Sequence, residues 1–175
     1  MKIYFVRHAE STANKNHTDN RSPETPLSKY GLRQAELVAK RLLGVEIDFV
    51  CSSPHLRAKQ TAEIISEKIG KPVKYWNQII ESDSSEKKFN KLNSRVTKIL
   101  KEFISYPAKS SFICVSHATT IEAIIAKMVF GRKLSSQIMN AIKKHFGTAN
   151  TGVSICELTK KDGWMLDTFN DSSHL

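Results

Sequence analysis

Cysteine is scarce in this chain: Cys51, Cys114 and Cys156 are the three in 175 residues, odd in number and widely spaced. Such a set builds neither a disulfide framework nor a zinc site. Each lies in an apolar run of strand type, so all three are expected as small core residues in a reducing compartment. Long hydrophobic runs are lacking too. Only Ile3 to Val6 is apolar ahead of Arg7, too short for a secretory signal, and no stretch nears the roughly 20 apolar residues of a membrane span. The expectation is a cytoplasmic protein with no membrane partner. Aromatics make up 8% of the chain and do not interleave with the lysines. Lys87, Lys88, Lys91, Lys98, Lys101, Lys143 and Lys144 instead spread over helix faces, so a solvated basic face is expected and a nucleic-acid partner is not.

What remains is a chain of 175 residues with 40% hydrophobic content, enough for one domain over 1–175. Its net charge of +10 favours anionic ligands in general. Short apolar runs alternate with longer periodic ones, which predicts an α/β fold. The expected form is a three-layer sandwich, a mostly parallel central sheet flanked by helices with an antiparallel edge near the C-terminus. Residues 9–27 read as a long loop. Ser28 caps a helix running to about Leu43, burying Leu32, Ala35, Leu37 or Val38, Ala39 and Leu42. Ile47 to Cys51 reads as a strand, with Ser53 as N-cap and Pro54 as first residue of the next helix. Asp83 to Glu86 and Thr119 to Glu122 have capping-box spacing ahead of two further helices. Asp162-Gly163 marks the turn of a final antiparallel pair, and His174 falls in a polar tail expected to be disordered.

Chemistry gathers where the parallel strands end. Arg7 and His8 follow the first, Arg57 lies in the first turn of the helix after the second, and His117 follows the run Phe112 to Val115. In open α/β sheets ligands bind outside the carboxyl ends of strands. A helix N-terminus attracts phosphate there, and an arginine adds a bidentate fork. One Arg-His pair carries little weight. Two imidazoles and two guanidiniums at matching topological positions carry much more. Glu81, beside the apolar pair Ile79-Ile80, is a carboxyl suited to acid–base work.

Arg7-His8-Ala9-Glu10-Ser11 with Asn14, Pro26-Leu27-Ser28-Lys29-Tyr30-Gly31 with Gln34-Ala35, Ser52-Ser53-Pro54 with Arg57-Ala58 and Thr61-Ala62, and Val115-Ser116-His117 together resemble the histidine phosphatase superfamily, also called phosphoglycerate-mutase-like. The resemblance implies that His8 is the phosphoacceptor and that Arg7, Arg57 and His117 hold the phosphoryl oxygens. Asn14 would add a pocket hydrogen bond, and the backbone at Ala118 would approach the phosphate. Glu81 matches the proton donor more loosely, with Asp83 as substitute. Ala9 and Ala118 stand where the family commonly has glycine. The crossover from Glu81 to Phe112 leaves no room for a large inserted cap, and the Gly/Trp-rich stretch that often follows the acidic residue is missing. The activity implied is a metal-independent, cofactor-free phosphatase acting on phosphate monoesters or on protein phosphohistidine. Its partner would be a phosphorylated small molecule or a phosphohistidine protein. The alternatives are a phosphoglycerate-type mutase and a non-catalytic phosphate-binding module.

Overall fold

The structure is a computed structural model that describes residues 1–18, 22–82 and 88–175. Runs of Val, Ile, Phe and Cys form the central strands, because β-branched and aromatic side chains pack well on a pleated surface. The parallel part contains β1 (Lys2–Arg7), β2 (Phe49–Ser52), β3 (Val73–Tyr75) and β4 (Ser111–Ser116), and β5 (Val153–Thr159) and β6 (Gly163–Asp171) follow. Among the described residues they make one six-stranded sheet in the order β3-β2-β4-β1-β5-β6. β1, β2, β3 and β4 pair in parallel, while β5 is antiparallel to both β1 and β6. The expected mixed sheet with an antiparallel edge is therefore present.

Both faces of the sheet are covered. Ile3, Phe5, Phe112 and Cys114 point to a layer that contains α4 (Phe89–Ile104), α5 (Ala118–Phe130) and α6 (Ser136–His145), through Val96, Phe103, Ile124, Met139 and others. Val6, Val50, Ile113 and Val115 face α2 (Lys29–Arg41) and α3 (Leu56–Ile69), through Val38, Leu42, Ala58 and Ile65. Alternate residues along one strand thus feed opposite layers, the consequence of a side-chain period of two. Cys51, Cys114 and Cys156 are buried free thiols, and Cys51 pairs with Cys114 across β2 and β4. No helix among the described residues is long and apolar enough to cross a membrane.

Several local expectations are corrected. The loop after β1 contains the helical turn α1 (Thr12–Lys15), closed by a reciprocal capping box between Ser11 and Asn14. On α2 it is Val38 that is buried, while Leu32 and Leu37 are exposed. The helix after β2 starts at Leu56, with His55 rather than Ser53 as N-cap. Thr119 and Glu122 form no capping box, because α5 begins two residues earlier, at Ala118, and His117 takes the cap position. The Glu122 carboxylate instead accepts from the Thr148 hydroxyl at 2.8 Å. Asp83, the Asp83–Glu86 capping box and Lys87 lie outside the described residues. The polar tail is held down, with His174 Nε2 3.1 Å from Thr151 Oγ1 and Arg41 bonded to Asp171 and Ser173.

The start of α2 fixes the strand-end loop. Ser28 caps it by accepting from Gly31 N at 2.9 Å, while Ser28 N donates to Glu10 O at 2.9 Å. A β-carbon on Gly31 would lie 2.0 Å from Glu10 O, so only glycine permits this approach. Gly31→Ala is expected to destabilise the protein by about 1–3 kcal/mol, the range for overpacking. The urea unfolding midpoint checks this, and an unchanged midpoint would show that the loop gives way freely.

Candidate active site

β1 delivers Arg7 and then His8 at the sheet's carboxyl edge, where the chain is held from three sides. His8 N donates to Ser116 O at 2.9 Å, and Asn150 Nδ2 donates to His8 O at 2.9 Å. Ala9 N donates at 3.0 Å to Thr61 Oγ1, whose proton goes to Arg57 O at 2.7 Å. Glu10 N donates at 2.9 Å to Gln34 Oε1. The motif residues Thr61 and Gln34 therefore serve as braces for the loop.

The His8 ring lies 2.8 Å through Nδ1 from Ala9 O, a carbonyl that can only accept. The ring proton is thereby assigned to Nδ1, and Nε2 keeps its lone pair. Arg57 Nε donates to that Nε2 at 3.3 Å. The ring is 1% exposed, and burial, then the Arg7 charge, holds the imidazole well below its ordinary 6.5. It is neutral at neutral pH, with its free nitrogen towards a guanidinium.

Arg57 is entirely buried, yet its hydrogen-bond partners are three imidazoles and one carbonyl. Nη1 donates to Ser22 O at 2.9 Å, and Nη2 reaches both His55 Nδ1 and His117 Nδ1 at 3.3 Å. Among the described residues no carboxylate forms an ion pair with it. A buried cation with no directly bonded countercharge is costly, and it is a natural seat for an anion.

His117 accepts from Arg57 through Nδ1, so Nε2 holds the proton and donates to Ser53 Oγ at 2.9 Å. Its ring packs 5.2 Å from His8 and 5.1 Å from His55, edge to face. Burial, reinforced by its neighbours, keeps it neutral as well. Arg7 Nη1 bonds Thr148 O, whereas its Nε–H is buried with no partner among the described residues.

Glu81 reaches the cluster from the segment after β3, with Oε2 4.0 Å from His117 Nδ1. Its side chain is 23% exposed. Burial raises the carboxyl above its ordinary 4.5, against the opposing pull of the Ser82 N–H and of Arg57, Arg7 and Arg95. Asn14 lies one side chain away: its Oδ1 serves the α1 cap and receives Asn150 Nδ2 at 3.4 Å. Ala118 is the half-buried first residue of α5, directly after His117.

The strand-end residues picked out in the sequence thus come together, and others join them that sequence reasoning missed. His55 lies within the quoted Ser52-to-Ala62 stretch, two residues before Arg57, and offered a signal. Ser53 reads as a helix cap and Asn150 only as the lead-in to the strand from Val153, because local sequence shows only local roles. Arg95 had no signal, being one cation among several on α4.

Fold and site together define an α/β protein with buried arginine and histidine side chains gathered at the carboxyl edge of its sheet. Residues 3–87 match the family model of the histidine phosphatase superfamily, branch 1. A Schizosaccharomyces pombe protein named "Probable phosphatase C1687.21" is 26% identical, covering all of this chain and 95% of that one. The Yersinia pestis protein named "Probable phosphoglycerate mutase GpmB" is 37% identical over 70 residues, which are 40% of this chain and 33% of that one. Among solved structures, the alpha-ribazole phosphatase of Shigella flexneri superposes with a TM-score of 0.83 at 21% identity, covering 98% and 96% of the two chains. Phosphoserine phosphatase of Entamoeba histolytica gives a TM-score of 0.84 at 20% identity, covering 99% and 98%. These likenesses establish the fold.

Behind Arg7, Thr148 connects the pocket to Glu122, which burial holds at about 7. Between pH 4.5 and 7 the unfolded chain gives up this proton while the native state keeps it, so stability falls as pH rises through that window. Glu122→Gln, which retains the acceptor for Thr148, is expected to raise Tm at pH 8 and leave it unchanged at pH 4.5. Thermal melts at the two pH values check the sign.

Proposed function

We propose that the protein is a phosphatase that hydrolyses phosphate monoesters, or phosphohistidine on a protein, through a covalent phosphohistidine on His8. The observation that carries this reading is the buried Arg57, hydrogen-bonded to no carboxylate among the described residues and directed at the one His8 nitrogen that retains a lone pair. That nitrogen attacks phosphorus in line while the leaving oxygen departs. Arg7, Arg57 and His117 then neutralise the equatorial oxygens, so that catalysis is positioning and electrostatics. His117 turns a donor to the phosphoryl group once it takes a proton or exchanges Ser53 for the ligand. Glu81, raised by burial, protonates the leaving alkoxide and as carboxylate then activates the water that attacks phosphohistidine. The same phosphorus–nitrogen bond breaks as phosphate leaves and His8 returns to neutral. Asn14 and the backbone at Ala118 border the substrate.

No metal step is needed in this scheme, because guanidinium and imidazole donors supply the charge stabilisation. The buried free thiols fit a reducing compartment, and we assign the protein to the cytoplasm, with neither nucleic acid nor membrane as partner. A mutase is less favoured. The described part of the crossover between Glu81 and β4 is the one helix α4, which buries its apolar stripe on the sheet, and nothing there roofs an intermediate awaiting a second hydroxyl. The names of the two curated relatives, a phosphatase and a mutase, fit the shared first half-reaction.

With p-nitrophenyl phosphate in the presence of EDTA, the wild type is expected to turn over and His8→Ala to lose at least about a thousandfold in kcat. Labelling by phosphorylated substrate should be acid-labile and base-stable, and turnover retained by His8→Ala would remove the nucleophile assignment. On an alkyl phosphate the rate should hold as pH falls through 6.5, since His8 stays neutral there, and decline on the alkaline side as Glu81 loses its proton. A rate that rises steadily towards pH 9 would contradict Glu81 as the acid.

A further inference from the structure

We propose that Arg95 is a positioning residue for proton donation by Glu81, a role that rests on the reading of Glu81 given above. The residue lies on α4, where Lys98 and Lys101 are exposed, yet its guanidinium turns inward to the segment carrying Glu81. Nη1 donates to Ile80 O at 2.8 Å and to Gln78 O at 3.3 Å. Nη2 donates to Ser82 Oγ at 3.2 Å and to Thr120 Oγ1 at 3.3 Å. The residue before Glu81 and the residue after it are therefore gripped by one planar group.

The grip also ties Glu81 to the phosphate end of the pocket. Thr120, three residues past His117, passes its own proton to Ile80 O at 2.8 Å, and Ser116 Oγ donates to Ile79 O at 2.7 Å. The Ile79 side chain is fully buried beneath. Arg95, Thr120 and Ser116 thus hold the segment 78–82 against the β4–α5 corner that bears His117. A flexible ammonium has no fork with which to reach both sides of Glu81 at once. General-acid catalysis needs the donor within hydrogen-bond reach of the leaving oxygen, and small misplacements cost rate.

Arg95 also contributes charge. Glu81 is faced by Arg7 from β1, Arg57 from α3, Arg95 from α4 and His117 and Glu122 from the β4–α5 corner. Arg95 is one of three cations that oppose the upward pull of burial on the carboxyl. Its loss should move the alkaline limb of an acid-dependent rate to higher pH.

The test compares n-butyl phosphate, whose alkoxide needs a proton, with p-nitrophenyl phosphate, whose leaving group does not. Glu81→Gln calibrates the assay and should lower kcat/KM, which reports phosphorylation of His8 and not the later attack of water, about 100-fold or more on the alkyl ester and little on the aryl ester. Arg95→Gln is expected to lower kcat/KM on the alkyl ester about tenfold to a hundredfold, with kcat/KM on the aryl ester within about twofold. Its alkaline limb should shift upward. Arg95→Lys should show a similar selective loss with the limb in place. Should Arg95→Gln fail to fold, Ser82→Ala removes a single bond and should give a smaller loss of the same selectivity. Equal losses on both esters, or a rise in KM on both, would overturn the role of Arg95 while leaving Glu81 as donor. A Glu81→Gln enzyme that treats the two esters alike would overturn both readings together.

Discussion

Arg57 is the constraint to which the rest of the site answers. A guanidinium can hardly be deprotonated, and this one is sealed from water with imidazoles where a carboxylate would ordinarily stand. Neutral rings are good acceptors but weak countercharges, so the pocket keeps unspent attraction for an anion. The two inner imidazoles are in turn held neutral by burial and by the same positive neighbours, which leaves one of them with an unprotonated nitrogen towards Arg57. A carboxylate ion-paired to Arg57 would relieve the cation and remove the affinity with it.

Such an arrangement survives only on a rigid frame. Each element that presents a site residue also braces its neighbour: Thr61 on α3 receives the amide after His8, Gln34 on α2 the next amide, and Asn150 reaches back to the His8 carbonyl. Gly31 lets α2 dock against the carbonyl of Glu10. Much of the charged chemistry is therefore oriented by uncharged groups, whose hydrogen bonds stay put whatever the protonation state nearby.

The sequence made the sheet and its two covering layers legible because buried parallel strands are continuous apolar runs and the helices keep one stripe each. Arg7, His8, Arg57 and His117 were legible for a topological reason, as strand ends of a parallel sheet share one edge. Roles set by tertiary distance were not. Glu122 has capping-box spacing from Thr119, yet the helix starts early and its carboxylate finds Thr148, 26 residues away. Ser53 likewise looks like a helix cap and instead supports His117. Arg95 sits on the polar face of an amphipathic helix, where nothing in the spacing separates a solvated cation from one folded under the sheet edge. The tail around His174 reads as polar, and its anchors, Arg41 and Thr151, lie on distant segments.

The sheet order carries a consequence for how the protein comes into being. Of its six strands β1 is synthesised first, yet its two neighbours are β4 and β5, so Lys2 must wait for Ser111 on one side and Glu157 on the other. The strand that leads into His8 is left with unsatisfied edges until most of the polypeptide has emerged, and closing such distant pairings is slow. A nascent fragment that ends before β5 can own His8, both inner arginines and His117, and still lack the Asn150 that ties the loop down. Such partial products lack the brace that orients the loop after the first strand, and that strand keeps an open edge of the kind that pairs with other chains.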